Sequence, residues 1–79
     1  MNRETYEAMW AFSEEAQPEF ETKEEAEIYT KAILSAINWV QVEYEAQIEA
    51  GNDNSRLSGM EINLLYKLME TQITLQDLS

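Results

Sequence analysis

The sequence predicts an all-α fold, a small three-segment helical bundle or helical hairpin with a long central helix. Three observations carry that prediction. "TKEE" from Thr22 and "SGME" from Ser58 are capping boxes, in which a hydroxyl caps a helix start and a glutamate three residues on reaches back. Pro18 and the turn cluster "GNDNS" from Gly51 divide the chain into three segments. Between these marks the apolar residues recur with helical period. The segments are expected to form one domain over residues 1–79.

The first segment spans about Arg3 to Ala16. Asn2 is placed as its N-cap, and Glu4 puts a negative charge at the positive end of the helix dipole. Its apolar face gathers Tyr6, Met9, Trp10, Phe12 and Ala16. Proline pushes the residue before it out of the helical region, so Gln17 should close this helix.

The second segment should run from the Thr22 cap to about Ala50, with Gly51 as C-cap and Asn52, Asp53 and Asn54 favouring the turn behind it. A strand competes for part of it. From Val40 to Ala50 apolar and polar residues alternate without a fault, as in a half-buried strand, and the alternative fold is α+β with a hairpin turning at 52–54. Strong helix formers in "EAQIEA", and the absence of a breaker between Thr22 and Gly51, favour the helix.

The third segment starts from Ser58 as cap and Glu61 as its partner, and places Leu64, Leu65, Leu68 and Met69 on a broad apolar stripe. "ITLQDLS" at the end either extends that helix or packs loosely.

On the central helix Ala26, Ile33, Ile37, Val40 and Tyr44 share one sector at about 100° per residue, while Ile28, Ala32, Trp39, Val42 and Ala46 fall on nearly the opposite side. A helix apolar on two sides must be covered on two sides. Either the first segment covers one face and the third the other, or both share one face and Trp39 with Val42 anchors a second copy or another protein. Small size gives the second option weight, because a short helical unit gains much from a shared core.

Composition excludes more than it assigns. Five Lys plus Arg stand against sixteen Asp plus Glu, a net charge of −11, which repels nucleic acid and anionic membrane. The expected partner is another protein with a basic surface, with no direct nucleic acid and no membrane. No stretch approaches the roughly 20 apolar residues of a membrane span, and the N-terminus does not read as a signal peptide. A soluble, cytoplasmic protein is expected.

Neither His nor Cys occurs, which removes the usual zinc, iron–sulfur and haem ligands and the common catalytic bases and thiol nucleophiles. Two glycines, Gly51 and Gly59, cannot build a phosphate loop. A calcium loop counted from Asp53 fails, with Leu57 at its fifth position and Leu64 where a bidentate glutamate belongs. The sequence therefore predicts no enzyme, no cofactor and no metal site.

The acidic surplus is concentrated. Glu14, Glu15, Glu19, Glu21, Glu24, Glu25 and Glu27 lie within fourteen residues, opposed only by Lys23, with Lys31 placed to pair with Glu27. One reading is a solvated face that keeps the chain in solution. The sharper reading is a row of carboxylates that imitates phosphates and enters the basic groove of a nucleic-acid-binding protein. In overall character, small, acidic, helical and free of His and Cys, the chain is similar to phage-encoded inhibitors of host defence enzymes. That resemblance is of type rather than motif, and it implies an acidic inhibitor or regulatory adaptor. The rival is a self-associating assembly protein, a homodimeric helical subunit.

Overall fold

The computed structural model describes residues 2–78. It consists of three helices, α1 (Arg3–Glu14), α2 (Lys23–Ala50) and α3 (Ser55–Leu78), with no strand among the described residues. The all-α expectation holds, and Val40 to Ala50 are helical. Once Thr22 has started a helix, each added residue gains a backbone hydrogen bond, and nothing before Gly51 interrupts the chain.

The start of α1 and both ends of α2 follow their sequence signals. Asn2 Oδ1 accepts the Thr5 N–H at 3.1 Å, and Thr22 Oγ1 accepts the Glu25 N–H at 3.2 Å. Gly51 adopts φ +74, a left-handed conformation that a side chain would strain. From there the Gly51 N–H donates to Ile48 O and the Asn52 N–H to Gln47 O, the paired bonds of a Schellman cap.

Two boundaries differ from expectation. Helix α1 stops at Glu14 rather than at Ala16 or Gln17, because Glu15 is already extended and its carbonyl is engaged by α3. Helix α3 starts one turn before Ser58. Asp53 Oδ1 accepts the Ser55 N–H at 3.0 Å, and the Ser58 N–H donates to Asn54 O, so the Asp53 turn opens the helix and Ser58 lies inside it. At the other end, "ITLQDL" continues α3 to Leu78, and Ser79 lies outside the described residues.

Helices α2 and α3 form an antiparallel hairpin. Ile33, Ala36, Ile37 and Val40 pack on Leu57, Met60 and Leu64 to make the core. Helix α1 lies along this hairpin, parallel to α3: near its start Tyr6 meets Trp39 and Arg56, and just beyond its end Glu15 meets Tyr29 and Lys67. Tyr6, Met9, Trp10 and Phe12 are partly buried against the core, as the sequence places them, whereas Ala16 is exposed and the polar Ser13 is buried, its hydroxyl donating to Trp10 O.

The two apolar sides of α2 meet different fates. The Ile33, Ile37 and Val40 side takes α3, with Ala26 buried and Tyr44 half-buried. On the other side Trp39 is half-buried with its ring edge on Tyr6, centroids 6.1 Å apart, while Ile28 (68%) and Val42 (58%) stay exposed, as do Ala32 and Ala46. Helix α1 packs chiefly on α3 and touches α2 only lightly, so the far side of α2 is left uncovered. On α3, Leu64 is buried and Leu68 half-buried, but Leu65 and Met69 are half-exposed, so the expected single stripe is split between core and surface.

Candidate protein-binding surfaces

The seven clustered glutamates occupy one end of the molecule, and all are exposed. Glu14 ends α1, Glu15, Glu19 and Glu21 lie on the linker, and Glu24, Glu25 and Glu27 open α2. Among the described residues the ion pair within 4.0 Å joins Arg56 to Glu7, and Glu27 with Lys31 does not make one. Among the described residues the seven glutamates make no ion pair within 4.0 Å, while the Arg56 guanidinium lies 4.2 Å from the Trp10 ring centroid and 5.2 Å from that of Tyr6.

The linker that carries these carboxylates is held at three points. The buried Lys67 Nζ donates to Glu15 O at 2.7 Å and to Tyr29 Oη at 3.0 Å. Tyr29 Oη donates to Glu15 Oε1 at 3.0 Å. Gln17 Nε2 donates to Thr71 Oγ1 at 2.8 Å, and that hydroxyl donates to Lys67 O. Phe20 then packs on Tyr29 from one direction and Phe12 from another, with ring centroids 5.3 and 5.5 Å away.

Burial, with the Glu15 carboxylate beside it, pushes the Tyr29 hydroxyl well above its ordinary value of 10. The sign of the consequence follows from proton counting. Above about pH 10 an unfolded tyrosine has lost its proton while Tyr29 in the fold keeps it, so this group's stabilisation is complete below that pH and is lost as pH rises. Denaturant melts at about pH 8 and about pH 11 should show a smaller alkaline loss of stability in Tyr29→Phe than in the wild type. Equal losses would refute the assignment.

Trp39 and Val42 do not join the acidic end, since Trp39 packs on Tyr6 and Val42 faces solvent. A third surface was not singled out in the sequence. Ile62, Leu65, Tyr66, Met69 and Ile73 line the outer face of α3, each 50–58% exposed. Their helical spacing was legible, but it merges with that of Leu64 and Leu68, and only the packing against α2 tells the two faces apart.

Among the described residues no group of three or more acidic side chains is placed to hold a metal ion, and no helix is long and apolar enough to cross a membrane. Comparison of the chain with protein-family models, curated proteins and solved structures finds no match.

Proposed function

We propose that the protein is a non-enzymatic binding module, a small acidic inhibitor or adaptor whose glutamate-rich end docks on a basic surface of another protein. The observation that carries this reading is the pinned linker. Loops bearing only solubilising charge need no fixed shape, whereas here Lys67, Tyr29 and Thr71 fasten the segment at Glu15 and Gln17. An array fixed before binding loses less conformational entropy on docking, and opposite charge speeds the encounter. A partner that ordinarily holds nucleic acid offers the complementary groove, with the carboxylates standing where phosphates would. The lack of His and Cys agrees with a role without chemistry.

The test is capture of partners from a host lysate on the immobilised protein, followed by a wash with short duplex DNA. A captured protein should be released by the DNA and by rising salt. The variant carrying Glu21→Gln, Glu24→Gln and Glu25→Gln should bind it about tenfold more weakly at low salt, the sum of three exposed charge contacts. A partner indifferent to the DNA and to these substitutions overturns the reading.

A further inference from the structure

The outer face of α3 carries Ile62, Tyr66, Met69 and Ile73 at spacings of four, three and four, with Leu65 beside them. That spacing is palindromic about a point between Lys67 and Leu68. We infer that this face is the interface of an antiparallel homodimer, in which α3 of one copy lies on α3 of the other across a two-fold axis. In that register Ile62 of each copy meets Ile73 of the other, and Tyr66 meets Met69, as an isologous contact requires.

Charge selects both the occupant and its direction. The chain is acidic by eleven charges, yet this stripe contains none; beside it stand Ser58, Gly59, Asn63, Gln72 and Gln76, with Glu70 and Asp77 along one flank. A basic partner would find its complement at the glutamate-rich end, not here. A second copy can approach here without bringing acidic ends together, provided the helices run antiparallel. The linker and the start of α2 lie beside Lys67 and Thr71 in the C-terminal half of α3, so antiparallel pairing sends the two acidic ends to opposite ends of the dimer.

The same register sets Glu61 opposite Thr74, Glu70 opposite Leu65 and Asp77 opposite Ser58. A parallel pair would set each of these acids against its own copy. Like charges brought face to face in this way oppose association.

The area suffices. Side chains of this size present on the order of 200 Å² each, so five half-exposed ones offer roughly 500 Å² per copy. The amide rim adds to this, against about 800 Å² per partner in a standard stable interface.

The chain has no cysteine, so introduced thiols report cleanly. Light scattering on a size-exclusion column at about 100 µM, where mass action favours association, should give twice the 9.2 kDa of one chain. Met69→Lys, at an exposed position near the axis, should give the single mass with unchanged circular dichroism. Under oxidation, chains carrying Ile62→Cys mixed with chains carrying Ile73→Cys should form the mixed disulfide several times faster than either forms its own. A wild-type monomer overturns the proposal. So does a dimer that survives Met69→Lys but is lost in Trp39→Asp, or a preference for disulfides between two copies of Ile62→Cys, the mark of a parallel pair. The DNA-release experiment reads the acidic end separately, so either proposal can fail alone.

Discussion

Leu64→Ala should cost about 3 kcal/mol, a large share of the stability a chain this small commands, roughly 4 to 12 kcal/mol. Leu64 is fully buried at the centre of the hairpin, in the cluster formed with Ile33, Ile37, Val40 and Met60. Truncation forfeits the transfer of the removed carbons from water and leaves a cavity that helix backbones cannot close. In a domain of about 80 residues each kcal/mol is worth roughly 4–8 °C, so the thermal midpoint should fall by about 15 °C or more. The neighbouring substitution Leu65→Ala, on the exposed outer face, should cost well under about 1 kcal/mol. Both are measured by thermal circular dichroism at a concentration low enough to keep the chain monomeric, since association would make Leu65 a buried residue. Equal effects at the two positions would refute the division of α3 into a core face and an outer face.

That division marks the limit of what the sequence shows. Local signals were legible wherever the chemistry is local. Asn2, Thr22 and Gly51 sit at helix ends because they satisfy backbone groups within a few residues of themselves. The Ile33, Ile37 and Val40 stripe was legible because it recurs at helical spacings of four and three. Helix α3 is different, being apolar on most of its circumference through Ile62, Leu64, Leu65, Leu68, Met69 and Ile73, so periodicity alone does not say which residues face α2. The start of α3 at Ser55 rather than after Ser58 has a related reason. Two local signals compete there, and the Asp53 turn, which comes earlier in the chain, opens a helix that runs through Ser58. The linker contacts were beyond reach because their partners are distant. Lys67 finds Glu15 and Tyr29 from 52 and 38 residues away, and Gln17 finds Thr71 from 54. A lysine in an apolar stripe reads as a break in the stripe until those acceptors are brought to it.

Lys67→Ala should destabilise the fold by about 3 kcal/mol, an effect as large as a core truncation although the residue is charged. Lys67 is only 5% exposed, and two different interactions hold it there. Its amino group donates to Glu15 O and Tyr29 Oη, and lies 5.6 and 5.5 Å from the ring centroids of Phe12 and Tyr29. Alanine removes both the donors and the four-carbon stem that fills the space between α1, α2 and α3. Methionine separates the two. Lys67→Met keeps most of the packing and loses only the hydrogen bonds, and because the Glu15 carbonyl lies at the exposed linker, water can replace part of what it loses. The expected global cost is then about 1 kcal/mol. Locally the effect should be much larger, because the linker has lost its firmest attachment. A glutamate-specific protease should cut at Glu15, Glu19 or Glu21 several-fold faster in Lys67→Met than in the wild type, under conditions where both remain folded. Local opening governs such cleavage more than global stability does. An unchanged rate would mean that Gln17, Thr71 and the Phe12, Tyr29 and Phe20 rings hold the linker without the lysine, and the rigidity on which the acidic docking surface depends would have to be assigned to those residues instead.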